Sequence, residues 1–366
     1  MIFSGLALGI VLGFVFQRGR FCVTGAFRDV WLSRSTRWLT AFLLAILVQA
    51  VIVQGLLGAG LIQAGVPKMI WGAVIAGSFL FGIGIVLAGG CATGTYYRSG
   101  EGLIGSWIAL IFYALGAAVM KYGALKGFNG WARSNPSETT TIHGALGISP
   151  WLLVGLLALI VGWAVWKQVS GRRTAVATLK PRRAGLAGLL FGRPWGPLAT
   201  AVVVGVIAAL AYPLSNATGR NAGLGITTPS ANIVQFLTTG DGQYIDWGVL
   251  FVLGLIPGSY IAAKASGEFR LRTPDVNTTL RSIGGGSLMG IGASIAGGCT
   301  IGNSLVQTSL FGVQGWTAFL FTFLGVGFAA RFFVQTHRRA GAVVTPILAE
   351  AAPAPTASRK PELIST

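Results

Sequence analysis

An all-α bundle that crosses a bilayer about nine times is the architecture this chain predicts, on three observations. Of its 366 residues 53% are hydrophobic and only 10% charged, whereas soluble domains carry about 25% charged residues. Mean hydropathy is +0.71, and apolar runs long enough for a hydrocarbon core of roughly 30 Å recur along the chain. The third observation is charge: the 27 Lys and Arg residues segregate by loop.

The first apolar run, 1–17, has no basic stretch before it and no obvious cleavage site, so it reads as a retained span entering from outside. Runs at 38–62, 70–89 and 103–121 follow, then a separate one at 150–167, then 197–214, 247–264, 282–298 and 315–334. With the N-terminus outside and the C-terminus cytoplasmic, 22 basic residues fall on inner segments. Five fall outside: Lys68, Lys121, Lys126, Arg133 and Arg220. That is the bias expected when Lys and Arg stay in the cytoplasm. The net charge of +18 is therefore explained by loop sidedness, and no basic patch beside a soluble domain points to nucleic acid.

The same glycine-rich phrase occurs twice, "GIGIVLAGGCATG" at 82–94 and "GIGASIAGGCTIG" at 290–302. Gly82–Cys91 and Gly290–Cys299 share seven identities in ten, and Trp107 and Trp316 follow the cysteines by 16 and 17 positions. A weaker match pairs "GRFCVTG" at 19–25 with "GRNAGLG" at 219–225, with Ala222 in the place of Cys22. One span separates the two copies and reverses the second. Residues 1–121 and 197–334 thus read as inverted transmembrane repeats. Residues 122–196 supply an outer loop, the connecting span and a basic cytoplasmic linker. Residues 335–366 form a cytoplasmic disordered tail, its end rich in Ala, Pro and Ser. Loops 18–37 and 90–102 would re-enter from the cytoplasm and loops 215–245 and 299–314 from outside. Non-helical backbone survives at membrane depth only when buried in protein or lining a wet cavity. Four such loops converging from two sides form an hourglass-shaped pathway with a site near the midplane.

All three cysteines share one frame, Cys-x-x-Gly: Cys22, Cys91 and Cys299. Gly89, Gly90, Gly297 and Gly298 can end a helix and admit close backbone approach, leaving amides and the positive end of a following short helix to face an anion. Gly94 and Gly302 close the frames. Arg20 and Arg220 stand at corresponding places near opposite mouths, where they could draw an anion inward. Thr24, Thr93, Thr227, Thr228, Asn303 and Gln307 are further donors that capping and packing explain almost as well. All nine acidic residues lie in loops, span ends or the tail, which argues against a cation site or proton relay. His143 and His337 neighbour no cysteine in sequence, so neither a Cys–His nucleophile nor a zinc site has support. No metal or cofactor is expected.

The set "RFCVTG", "GGCATG" and "GGCTIG" resembles the YeeE/YedE family of bacterial sulfur-compound membrane proteins, and the likeness covers roughly 1–334. It implies an inner-membrane thiosulfate importer, not an enzyme, with Cys22, Cys91 and Cys299 lining the path. Gly90, Gly94, Gly298, Gly302, Arg20 and Arg220 join that path on the residue pattern itself. The resemblance also implies a small cytoplasmic sulfur-carrier protein as partner. Thiosulfate is a dianion with one soft terminal sulfur, and a thiol is a weak donor that can be exchanged as the ion passes. A thiolate would repel it, so the scheme requires protonated Cys91. Two alternatives stand beside this one: a membrane sulfurtransferase relaying sulfur as a cysteine persulfide, and a transporter of another anion or a selenium compound.

Overall fold

The computed structural model of the protein describes residues 2–170 and 185–335, and every ordered element among them is helical apart from two isolated bridges. The first half contains α1 Phe3–Gly19, α2 Val23–Ser33, α3 Arg37–Gly58, α4 Trp71–Leu87, α5 Ala92–Gly100 and α6 Ile104–Lys121. Then come α7 Lys126–Ala132, α8 Ile142–Leu146, α9 Pro150–Ser170 and α10 Gly185–Phe191. The second half contains α11 Pro197–Asn216, α12 Thr227–Thr239, α13 Trp247–Ser266, α14 Val276–Ala296 and α15 Val313–Ala329, with π-helical turns at Gly302–Gln307 and Ala330–Gln335. The chain is a polytopic all-α membrane protein: eight helical stretches among the described residues are long and apolar enough to cross a bilayer. The ninth long helix, α14, packs between α4 and α6 and is made less apolar by its polar first turns and many glycines.

The expected spans recur with small shifts, and the largest is instructive. Helix α14 begins at Val276, not near 282, because "VNTTLR" continues the helix with side chains suited to water rather than lipid. The outer loop at 122–149 is likewise not plain turn: it folds into α7 and α8, and Thr141 caps α8 through the Gly144 amide. Most of the basic linker (171–184) and all but the first residue of the tail (336–366) lie outside the described residues.

Segments that charge assigns to one side meet one another. At one end of the bundle, Arg18 donates to the carbonyls of Leu190 and Arg193, and Leu103 bridges to Arg272. At the other end, the Met69 amide donates to Thr139, Ile142 to Phe311 and Gly65 to Asn221.

The long helices pack through glycine, as membrane helices do when small residues let backbones approach. Gly5, Gly9 and Gly13 recur every fourth position on α1, and a Cβ at Gly9 would stand 2.1 Å from the Phe251 carbonyl oxygen of α13. Helices α4 and α14 meet at Gly77, Gly84, Gly285 and Gly292. The pairings have a regularity of their own. Exchanging α1 with α11, α3 with α13, α4 with α14 and α6 with α15 turns the α1–α13 contact into α11–α3 and the α14–α6 contact into α4–α15. Helix α9 stays outside this scheme: it packs on α3 and leaves Trp151, Leu156, Leu159, Trp163 and Trp166 exposed.

Candidate functional site

Four short helical segments interrupt the long ones: α2, α5, α12 and the π turn at Gly302–Gln307. Each cysteine stands at the start of one. Cys22 is the N-cap of α2 and Cys91 the N-cap of α5, both with extended backbone, and Cys299 lies three residues before the π turn. The preceding long helices stop for a backbone reason. Gly89 and Gly297 take φ of 72° and 82°, the left-handed conformation that glycine adopts at a helix C-terminus.

The carbonyls exposed by these stops are not left orphaned. Arg98, two turns into α5, donates back to the Gly89 carbonyl. At the other stop Asn303 Nδ2 reaches the Ala296 and Gly298 carbonyls at 3.2 and 3.0 Å, Gln314 Nε2 reaches Ala296 at 3.2 Å and Arg133 reaches Ile295 at 2.7 Å. The short helices are anchored by aromatic side chains. Phe27 of α2 makes edge contacts with Phe42, Phe319 and Phe323, and Tyr96 of α5 shares a 2.8 Å hydrogen bond with Ser230 of α12.

The cysteines are all free thiols and all buried, Cys91 completely. Cys22 and Cys91 are brought together. An ideal Cβ on Gly94 would lie 3.3 Å from the Cys22 sulfur and 3.6 Å from the Cys91 sulfur, so both thiols border one space. Only glycine leaves room there for both. The Cys91 sulfur accepts from the Gly94 amide at 3.4 Å and also faces the Val23 amide, while the Cys22 sulfur faces the amides of Gly25 and Cys91. Each sulfur therefore rests on amides of both helix starts. Cys299 is held elsewhere, beside Tyr113 and within electrostatic range of Tyr96, and Tyr113 donates to Thr227 at 2.9 Å. Helix α5, which begins at Cys91, thus reaches the Cys299 neighbourhood through Tyr96.

The remaining sequence candidates divide. Gly90 lies under Arg98 and Gly298 under Asn303, while a Cβ on Gly302 would meet open space. Arg20 lies at the same end of the bundle as Arg18, 59% exposed and paired with Glu268 at 3.4 Å. Arg220 differs from it: the guanidinium sits over Trp247, 5.7 Å from the ring centre, with its Nη1 buried and unpartnered in the protein. Burial pulls the Arg220 pKa below its usual value. The alignment of Ala222 with Cys22 does not hold in space. Helix α12 starts at Thr227 with Ile226 at its N-cap, because the chain from Arg220 to Gly225 first runs as a loop tied to Gly65 through Asn221. Ile226 therefore takes the place that Cys22 has in α2.

Sequence reasoning missed Arg98, Tyr96 and Tyr113. Arg98 was legible: seven residues after Cys91, it shares a face of a short helix with it. The two tyrosines act through contacts between distant segments and leave no local signal. Arg98 also lines an inner vestibule of about 310 Å³ with Arg20, Glu101, Glu268, Arg270 and Arg272. Its cations outnumber its carboxylates. Among the described residues, no group of three His, Cys, Asp or Glu side chains is suited to a metal ion.

The sequence profile described as sulphur transport matches residues 18–328. The chain is 52% identical over 341 residues to the thiosulfate transporter TsuA of Escherichia coli K12, covering 93% of this chain and 97% of that protein. It is 35% identical to TsuA of Spirochaeta thermophila, covering 89% of this chain and 97% of the relative. Against the probable transporter YedE of E. coli K12 it is 34% identical over 48% of this chain and 44% of that protein. With the profile spanning most of the chain and paired thiols at two helix starts, this polytopic protein belongs to the sulphur transport family, the YeeE/YedE group of thiosulfate transporters.

Proposed function

We propose that this protein carries thiosulfate inward across the bacterial inner membrane, with N-terminus outside and C-terminus in the cytoplasm. The observation that carries this reading is the meeting of the Cys22 and Cys91 thiols above Gly94 at the starts of α2 and α5. Amides at the positive ends of two helices favour an anion, and a protonated Cys91 thiol offers a weak S–H donor matched to a soft terminal sulfur. Cys299, beside Tyr113, provides the next thiol on the outer side. The pathway runs from Arg220 past Cys299 to Cys22 and Cys91, then past Arg98 into the vestibule that Arg20 lines. The exchange symmetry of the helix pairings supports residues 1–121 and 197–334 as inverted repeats around this path. The excess of arginine at the vestibule suits release to an acceptor at the cytoplasmic face, where a small sulfur-carrier protein would take the ion.

The ion crosses intact, with thiols exchanging hydrogen bonds and forming no covalent bond. Cys91→Ala should abolish thiosulfate uptake by reconstituted vesicles while membrane insertion stays intact, and undiminished uptake would remove this thiol from the mechanism. Mass spectrometry after turnover should find unmodified cysteines. A gain of about 32 Da on any of them would indicate a persulfide relay instead. Competition by sulfate, sulfite and selenite against labelled thiosulfate separates this substrate from other sulfur and selenium anions.

A further inference from the structure

Three threonine hydroxyls have no partner in the protein although their residues are almost fully buried: Thr24 at 3%, Thr93 at 2% and Thr300 at 1% exposure. A buried hydroxyl left unpaired costs about 1–3 kcal/mol. Other nearby hydroxyls avoid this cost by bonding to backbone carbonyls, as Thr95 does to Ala92, Ser99 to Thr95 and Thr308 to Ser304, while Ser304 on the π turn is itself unpaired. Thr24 and Thr93 occupy the same place in their helices, two residues after the N-cap cysteine and one before the glycine whose amide faces that cysteine's sulfur. In that first turn the carbonyl four residues back lies outside the helix, so neither hydroxyl has an acceptor of its own there.

Their direction follows from helical spacing. Thr93 shares a face of α5 with Tyr96, which reaches Ser230 and senses Cys299. Thr24 shares a face of α2 with Phe27, which packs on Phe319 of α15, and α15 packs on the π turn that follows Thr300. Tyr96 and Phe27 thus link both helix faces to the Cys299 segment, where Thr300 adds the third unpaired hydroxyl.

We infer that Thr24, Thr93 and Thr300 hold the oxygens of the transported ion, and that they set its selectivity between the Cys299 thiol and the Cys22–Cys91 pair. The proposal rests on the transport reading above. An –SO₃ group carries three acceptor oxygens that thiols serve poorly, and hydroxyl donors suit them better. Terminal sulfur on thiols and oxygens on hydroxyls would orient the ion as it is handed on.

The test is the initial rate of labelled thiosulfate uptake by reconstituted vesicles as a function of concentration, for the unsubstituted protein, Thr93→Val and Thr93→Ser. Valine keeps the branched shape and removes the donor, whereas serine keeps the donor. Thr93→Val should raise KM about tenfold, the value of one hydrogen bond to a charged ligand. Thr93→Ser should stay within about twofold of the unsubstituted protein. A purely structural role would instead lower the yield of inserted protein and leave KM alone. Unchanged KM in Thr93→Val overturns the inference while leaving transport standing. If the valine variant does not insert, Thr93→Ser and Thr93→Ala decide in the same way: equal KM values for the two overturn it. Absence of uptake by the unsubstituted protein overturns the transport reading, and this inference with it.

Discussion

Glu101 is the residue through which pH should reach the transport path. It sits between α5 and α6 at the inner vestibule, half-buried, with Arg98, Arg20 and Glu268 around it. Burial pushes its carboxyl above the usual carboxylate range, against the opposing pull of Arg98 and Arg20. A raised pKa means that Glu101 takes up a proton while the pH is still above the range where free carboxylates do. As pH falls through that window the vestibule loses a negative charge, and its arginines hold an anion more tightly. Thiosulfate affinity of the purified protein, measured by calorimetry, should rise by about twofold to fivefold over that window, a modest gain because the group is partly solvated. Glu101→Gln should show the tighter affinity at neutral pH and lose the pH dependence. A variant that titrates like the unsubstituted protein would assign the effect elsewhere. Cys22, Cys91 and Cys299 were legible because one frame repeats three times, and Gly94 was legible with them. The contact between the first two thiols was not, since it depends on how α2 and α5 approach.

Among the elements, α14 tolerates no side chain at its glycine contacts with α4. A Cβ on Gly285 would fall 2.3 Å from the Ala88 amide nitrogen and one on Gly292 2.6 Å from the Phe81 amide nitrogen, so α4 and α14 cannot both keep their places beside a larger residue. Gly285→Ala should cost about 1–3 kcal/mol through overpacking. That loss should be visible as a lower melting temperature in detergent, with a fall in uptake because both helices end at cysteine-bearing loops. Unaltered stability would mean that the helices slide apart freely. Most long helices were readable from apolar run length alone. The start of α14 was not, because a helix that leaves the lipid continues in polar residues that carry no hydropathy signal. The fourth re-entrant segment was misjudged for a similar reason. "GRNAGLG" matches "GRFCVTG" in its glycines and arginine, but helix α12 begins only where Thr227, Thr228 and Pro229 supply a first turn, proline needing no amide bond there.

At the scale of the molecule, the helix pairings exchange under one swap of halves, yet the contents of the halves differ. The first half holds two cysteines that both border Gly94, and the second holds Cys299 alone, with Ile226 at the start of its other short helix. Such asymmetry sets one thiol in one half against two in the other, with an arginine-rich vestibule beyond Arg98. Moving a dianion inward against an inside-negative potential costs about 4.6 kcal/mol at 100 mV. Weak successive sites let an ion leave each station. The doubled glycine phrase made this plan visible in the sequence, whereas the difference between its halves emerged only from contacts. The most direct measurement is the position of the ion's terminal atom. Crystals soaked with selenosulfate, in which selenium replaces the terminal sulfur, should give an anomalous peak against the Cys22 and Cys91 sulfurs beside Gly94. A peak confined to the arginine vestibule, with none at any thiol, would contradict the cysteine pathway.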